Sequence, residues 1–147
     1  ADADVVIMAA APADYRPKIA ATNKIKKGAA EVLSLELAEN PDILTELKGD
    51  SIRVGFAAES KDLVKNAKEK LQRKNLDLIV ANDITRAGSG FDADDNRVAL
   101  IDRAGKVTKL PLLPKQEVAD KILDRVAALL SAKVNVQSGD TKKKKGK

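Results

Sequence analysis

The chain has 147 residues, 44% of them apolar and only 2% aromatic, which suits one globular domain with an aliphatic core. It contains no Cys and no His, so disulfides, thiol or imidazole catalysis and Cys/His zinc sites are excluded. The net charge is +5, but five Lys and one Asp between residues 140 and 147 carry +4 of it, so the remainder is near neutral.

This composition also bears on partners and location. Tyr15, Phe56 and Phe91 are the only aromatic residues, so nucleic-acid binding by base stacking is unexpected. A lysine run at a chain end is more often a solvated tail than a nucleic-acid site. No apolar run approaches the roughly 18 residues of a membrane span, and the first residues form no signal peptide. We therefore expect a cytoplasmic protein without a membrane partner.

The first predicted element is a strand over 5–8, a continuous apolar run typical of a buried position in a parallel sheet. Such strands lie mid-sheet, so we expect an upstream domain half or a partner chain beside it. The small residues at 9–11 follow the strand's carboxyl end, where open α/β sheets place their sites. A plain exit into a loop explains them slightly better from local sequence alone.

Residues 16–38 are too polar for a core element and are predicted to form a two-stranded β flap, with an exposed strand at 34–37. A basic flap over a cleft would suit phosphate, although an ordinary lysine-rich surface loop is commoner. Next, Asn40 and Pro41 predict the start of a short helix that ends near Gly49, with Asn40 as N-cap and Pro41 at the first helical position.

The centre of the chain is predicted to be a strand–helix–strand unit, with strands at 52–57 and 76–81 and a helix over about 61–74. Leu63, Ala67 and Leu71 recur at helical spacing and predict the buried face. Lys70 and Lys74 are four residues apart and share another face. Two such lysines usually form a solvated surface, and a phosphate-binding site is the more specific alternative.

A loop is predicted over 83–96, and its acidic residues lack the glutamate that completes a calcium-binding EF-hand loop. A hairpin over 98–102 and 106–110 and a helix from residue 114 or 115 follow. We predict a domain over 1–132 and a flexible, lysine-rich tail over 133–147, disordered from about Asn135. The element order predicts an α/β fold with a mostly parallel sheet.

Seven blocks of this sequence, in this order, resemble phosphopantothenoylcysteine synthetase, the ligase part of a bifunctional bacterial protein of coenzyme A biosynthesis. The resemblance covers nearly all of residues 3–132 and implies a Rossmann-like three-layer fold. The blocks are Ala13-Asp14-Tyr15, Lys24-Ile25-Lys26-Lys27, Asn40-Pro41-Asp42-Ile43, Gly55-Phe56-Ala57-Ala58-Glu59, Lys74-Asn75-Leu76-Asp77, Ala81-Asn82-Asp83 and Gly90-Phe91.

The resemblance implies a CTP-dependent ligation of 4′-phosphopantothenate with L-cysteine through an acyl-cytidylate, with Mg²⁺ as cofactor and a homodimer as assembly. FMN would belong only to a decarboxylase part fused upstream. Lys24 would be catalytic, stabilising charge in the activation step, and the metal ligands stay unassigned. The nucleotide would be bound by Met8, Ala9, Ala10, Asp14, Lys24, Pro41, Asp42, Ile43, Leu44, Phe56, Lys70 and Lys74.

One departure from the family is large. The family's ligase part begins with a glycine-rich phosphate loop and an Asn-containing segment that hold phosphopantothenate, and nothing here corresponds to them. We therefore expect this chain to supply mainly the nucleotide-binding half of the site. The alternatives are a non-catalytic nucleotide-binding or dimerisation module and, ranked far lower, a nucleic-acid binder that works through the lysine tail.

Overall fold

The computed structural model of the chain describes residues 3–26, 33–83 and 94–144, and it forms an α/β fold. In chain order the elements are β1 (Val5–Met8), β2 (Tyr15–Pro17), β3 (Leu37–Glu39), α1 (Ile43–Glu46), β4 (Ile52–Glu59), α2 (Leu63–Arg73), β5 (Leu78–Asp83), β6 (Asp95–Asn96), β7 (Val98–Asp102), β8 (Val107–Lys109), β9 (Leu113–Pro114) and α3 (Lys115–Lys144). No helix in the described ranges is long and apolar enough to cross a membrane.

The central sheet has five described strands in the order β1–β4–β5–β7–β8. β1, β4 and β5 run parallel, with Met8 beside Gly55 and Phe56 beside Val80. β7 and β8 are antiparallel and form the predicted hairpin. The carboxyl ends of β1, β4 and β5 therefore meet at one edge of the sheet, which is where open α/β folds bind their ligands.

Helices cover both faces of this sheet, which confirms the predicted three-layer architecture. On one face α1 and α2 pack against β4 and β5, with Leu44, Ala67 and Leu71 in the core. On the other face α3 contributes Val118, Ile122 and Val126. Residues of β5 alternate between the two cores: Leu78 and Val80 face α3, whereas Ile79 and Ala81 face α2.

The predicted flap is present as a two-stranded antiparallel ribbon of β2 and β3, which pairs Tyr15 with Glu39 and Pro17 with Leu37. Its second strand begins at Leu37 and not at residue 34. Residues 27–32 of the flap lie outside the described residues, as do residues 84–93 of the predicted loop, with its Gly-Ser-Gly sequence and Phe91.

The structure corrects one prediction about an element and leaves two others open. Asp42, and not Asn40, caps α1, because its carboxylate lies where it accepts from the Thr45 amide. β1 is the outermost described strand and is only half-buried, and the upstream half or partner chain expected beside it stays a prediction. The helix α3 extends from Lys115 to Lys144. The flexibility of residues 133–147 stays a prediction.

Candidate functional site

A cleft of about 510 Å³ opens at the carboxyl ends of β1, β4 and β5. That size falls within the range of about 300–1,000 Å³ typical of small-ligand sites. The loop after β1 forms one wall, α1 a second, and α2 a third. Its lining residues are Met8, Ala9, Ala10, Ala11, Pro12, Ala13, Asp14, Asn40, Pro41, Asp42, Ile43, Leu44, Phe56, Ala57, Ala58, Lys70, Lys74, Asn82, Asn96, Val98 and Lys115.

Small residues give the cleft its depth. Ala9 and Ala10 follow β1, and Ala57 and Ala58 belong to the last residues of β4. Because their side chains end at Cβ, a ligand can approach the backbone closely at two neighbouring strand ends. The small residues at these two strand ends thus have a steric consequence in the folded chain.

One wall of the cleft is cationic. Lys70 lies in the last turn of α2, Lys74 is its C-cap residue, and both line the cleft. Burial and then the neighbouring Lys74 charge lower the pKa of Lys70, against an opposing effect of Glu59. Two cations held this close repel each other, and an anion between them would relieve the repulsion.

Asp42 connects the cationic wall to α1. Its Oδ2 lies 2.8 Å from Lys74 Nζ, and its Oδ1 accepts a hydrogen bond from the Thr45 amide at 3.4 Å. Burial raises the pKa of Asp42, but the hydrogen bond and charge of Lys74, with the backbone amides of Thr45 and Leu44, outweigh it and lower the pKa overall. Asp42 therefore positions Lys74 and caps α1 with the same carboxylate.

The loop after β1 is held by Asn40. The Asn40 side chain donates a hydrogen bond to the Ala13 carbonyl at 2.7 Å and accepts one from Arg16 at 3.0 Å. The backbone amide of Asn40 donates to the Asp14 carbonyl at 2.8 Å. These contacts join segments 24 to 27 positions apart in the sequence. Asn40 is thus a positioning residue of the cleft, which explains why it is not the helix cap.

Eleven of the twelve residues predicted to bind the nucleotide line this one cleft. The exception is Lys24, which is exposed and does not line it. The lining residues for which the sequence predicts no site role include Asn82, Asn96, Val98 and Lys115. Asn82 belongs to the block Ala81-Asn82-Asp83. Its position as a polar residue at the carboxyl end of a strand is the sequence feature that could have indicated a site residue.

No group of three or more acidic, His or Cys side chains that could hold a metal ion occurs in the described part of the chain. A Mg²⁺ ion at this cleft would therefore take most of its ligands from a bound phosphate group, as Mg²⁺ commonly does in nucleotide sites. Asp14 lines the cleft and offers a carboxylate for that purpose. Asp42 is already engaged by Lys74.

A second depression, of about 300 Å³, lies between β8 and α3. Its charged groups pair with each other: Arg125 with Asp102, and Lys121 with Asp124 at 3.9 Å. Asp102 also accepts from the Lys106 amide. These contacts attach α3 to the β7–β8 hairpin, so the depression is explained by packing.

The fold and the cleft define an open α/β ligand-binding domain with its site at the carboxyl ends of parallel strands. Residues 1–130 match the family described as the DNA/pantothenate metabolism flavoprotein C-terminal domain, and the chain belongs to that family. This finding confirms the resemblance stated from the seven sequence blocks.

Two curated relatives illustrate the similarity. The chain is 46% identical over 129 residues to the coenzyme A biosynthesis bifunctional protein CoaBC of Bacillus subtilis (strain 168), which covers 86% of this chain and 32% of the relative. It is 39% identical over 133 residues to a cysteine/cysteine sulfinic acid decarboxylase of an unknown prokaryotic organism, covering 88% and 37%. The chain thus spans about a third of the length of each relative.

Solved structures agree with this similarity. The crystal structure of the C-terminal domain of CoaBC superposes with a TM-score of 0.68 at 36% identity, covering 89% of this chain and 57% of that domain. The DNA/pantothenate metabolism flavoprotein from Streptococcus pneumoniae gives a TM-score of 0.64 at 25% identity, covering 86% and 61%. Both confirm the Rossmann-like α/β fold.

Proposed function

We propose that this chain binds CTP and supplies the nucleotide site of a phosphopantothenate–cysteine ligase acting in coenzyme A biosynthesis. The observation that supports the proposal most is the convergence of the predicted residues: cations, small residues and Phe56 line one cleft although they come from four separate segments. Family membership supports the same proposal, since a relative of 46% identity is named for coenzyme A biosynthesis.

In the proposed reaction, a carboxylate oxygen of 4′-phosphopantothenate attacks the α-phosphorus of CTP, and the bond to pyrophosphate breaks. The cysteine amine then attacks the acyl carbon, loses a proton and displaces CMP. Neither step needs a Cys or His side chain, which agrees with the composition. Both need cations that stabilise developing phosphate charge, and Lys70 and Lys74 supply them in the cleft.

Lys24 has the proposed catalytic role, and it stays a proposal because Lys24 lies on the flap away from the cleft lining. Mg²⁺ would neutralise charge on the triphosphate, held by the phosphates and Asp14. The homodimer and the cytoplasmic location also belong to this proposal. FMN has no role in it, because it would serve only a decarboxylase part fused upstream.

The position of Lys24 favours a second candidate, a nucleotide-binding or dimerisation module without catalysis. A cleft that binds CTP but lacks its catalytic lysine would bind without turnover. Pyrophosphate release from CTP with 4′-phosphopantothenate and cysteine separates the two. Full turnover by this chain alone would exclude the module and would contradict the expectation that another half of the site is required.

Calorimetric titration with CTP tests the binding itself. Lys70→Ala is expected to weaken CTP binding by about ten-fold or more, because a charge-assisted hydrogen bond to phosphate contributes about 1.5–3 kcal/mol. Lys65→Ala is the matched control, since Lys65 is an exposed lysine of the same helix that does not line the cleft. Equal losses in the two variants would contradict the proposal and indicate unspecific charge attraction.

A further inference from the structure

Asn82 carries a buried oxygen that nothing in the described structure explains. Among the described residues, Asn82 Oδ1 is the one buried side-chain nitrogen or oxygen without a hydrogen-bond partner. Buried polar atoms are nearly always paired, because leaving an acceptor unpaired costs its full desolvation penalty. Asn82 also lines the cleft, so a ligand there can supply the missing donor.

The other two asparagines of the cleft do not share this feature. Asn40 donates to Ala13 and accepts from Arg16, so both ends of its amide are paired. Asn96 Oδ1 accepts from the Arg97 amide at 2.9 Å. Both therefore have structural roles, whereas the oxygen of Asn82 is left for a contact that the protein itself does not make.

Asn82 lies on the same face of the sheet as Phe56. In β5, Leu78 and Val80 face α3, and Asn82 follows in the same alternation. Phe56 packs against the same core and pairs in register with Val80, two positions before Asn82. An aromatic ring and an unpaired acceptor thus lie on the same face of two neighbouring strands, opposite the α2 helix that carries Lys70 and Lys74.

This arrangement matches the two ends of a nucleotide. The lysines on α2 suit the phosphates, while the Phe56 ring offers an apolar surface to a flat base. A base on Phe56 would have one edge towards Asn82. To pair with the carbonyl oxygen of Asn82, this edge must present an N–H donor.

We propose that Asn82 is a specificity-determining residue, whose carbonyl oxygen accepts a hydrogen bond from the exocyclic amine of the bound nucleobase. The proposal rests on the proposed nucleotide site and deepens it. Cytosine and adenine carry such an amine, and cytosine is the base of the proposed co-substrate. Uracil places a carbonyl at the position of the cytosine amine, which would oppose two acceptors in a buried position and leave both unpaired.

The first test uses the unaltered chain and calorimetry with three nucleotides: CTP, UTP and the CTP analogue in which hydrogen replaces the 4-amino group. We expect UTP and the analogue to bind at least about ten-fold more weakly than CTP, the effect of one buried hydrogen bond. Equal affinity for CTP and the analogue would overturn the proposal. A preference for UTP would also overturn it, because the amide would then present its NH₂ group.

Two variants assign the effect to Asn82. Asn82→Leu is expected to remove the preference for CTP over UTP, with UTP affinity changed much less than CTP affinity. Asn82→Asp keeps an acceptor, so both nucleotides bind more weakly through charge repulsion but CTP stays preferred. If Asn82→Leu lowers the affinity for both nucleotides equally, Asn82 has only a structural role and the proposal is wrong.

A control separates this proposal from the proposed function. Asn96→Leu changes another cleft asparagine in the same way and should leave the CTP-to-UTP ratio unaltered, because its oxygen is already paired within the protein. If the unaltered chain binds none of the three nucleotides, the proposed nucleotide site fails and this proposal with it. If it binds CTP and UTP alike, only the assignment of Asn82 fails.

Discussion

Three charged side chains, Asp42, Lys70 and Lys74, set the electrostatics of one wall of the cleft. Lys74 is neutralised in part by Asp42, which lies 2.8 Å from it, while Lys70 has no salt-bridge partner among the described residues. Burial and the Lys74 charge lower the pKa of Lys70. Lys70 is therefore the cation with most to gain from a bound anion, because a phosphate would offset both causes of the lowered pKa.

This difference predicts a pH dependence of nucleotide binding. The pKa of Lys70 lies below its ordinary value of 10.5 in the free protein, and a bound triphosphate would raise it. Binding then takes up a proton between these two pKa values. CTP affinity should therefore fall as pH rises through the free-protein pKa of Lys70.

Calorimetry at about pH 8 and about pH 10, both above the phosphate pKa near 6, measures this fall without a contribution from CTP itself. Lys70→Met removes the titrating group and should bind CTP more weakly but with less dependence on pH. A Lys70→Met variant with the full pH dependence of the unaltered chain would show that another group titrates.

At the scale of elements, the site depends on how closely β4 approaches its neighbours. Gly55 of β4 is buried, and a Cβ built there would lie 2.6 Å from Leu76 Cδ1 and 3.5 Å from Leu44 Cδ1. Leu76 is itself only 1% exposed, so its side chain has little room to move. The next residue is Phe56, so this packing also fixes the strand end that lines the cleft.

Gly55→Ala should therefore destabilise the fold by about 1–3 kcal/mol, the usual cost of overpacking a core. Urea denaturation gives the free energy of unfolding. In a double-mutant cycle with Leu76→Ala, which removes the clashing atom, the cost of Gly55→Ala should become smaller than in the parent.

Gly49→Ala provides the comparison, because it destabilises for a different reason. Gly49 has φ of +90° and nothing within 4 Å of a built Cβ, so its cost is backbone strain. That cost should be unaffected by Leu76→Ala. If the stability losses of Gly55→Ala and Leu76→Ala are also additive, a clash with Leu76 is ruled out as the cause of the Gly55→Ala loss.

At the scale of the whole molecule, the central sheet separates two hydrophobic cores, and its two faces contribute chemically different residues to the cleft. The α2 face carries the cations of the cleft, and the α3 face carries Phe56 and Asn82. The net charge is also distributed unevenly along the sequence, because residues 140–147 carry +4 of the net +5. Nucleotide binding and attraction to polyanions should thus be separable properties.

Deletion of residues 140–147 tests this separation. The truncated chain should lose weak, salt-dependent binding to duplex DNA, because that binding follows the number of available cations. Its affinity for CTP should be unchanged. Fluorescence anisotropy with labelled DNA and calorimetry with CTP measure the two properties, and a clear loss of CTP affinity would place the tail in the nucleotide site.

Patterns local to the sequence were enough to predict most elements of this protein. Apolar runs and helical spacing predicted β4, α2, β5, the β7–β8 hairpin and the start of α3, because these periodicities repeat over a few residues. The family resemblance added eleven residues that the structure brings to one cleft. Boundaries moved by a few residues, as at β3 and α1, because helix and strand ends depend on single contacts.

Only the tertiary structure decided which side chains meet. The sequence presents Asp42 only as an acidic residue near the start of a helix. The sheet order brings Lys74, 32 positions later, within 2.8 Å of it. Asn40 lost its predicted cap role because the loop after β1 lies within reach of its amide. The role proposed for Asn82 could be seen only in the structure, where strand register places it on the same sheet face as Phe56 and its oxygen is buried and unpaired among the described residues. Such contacts depend on strand order and register, which local periodicity does not encode.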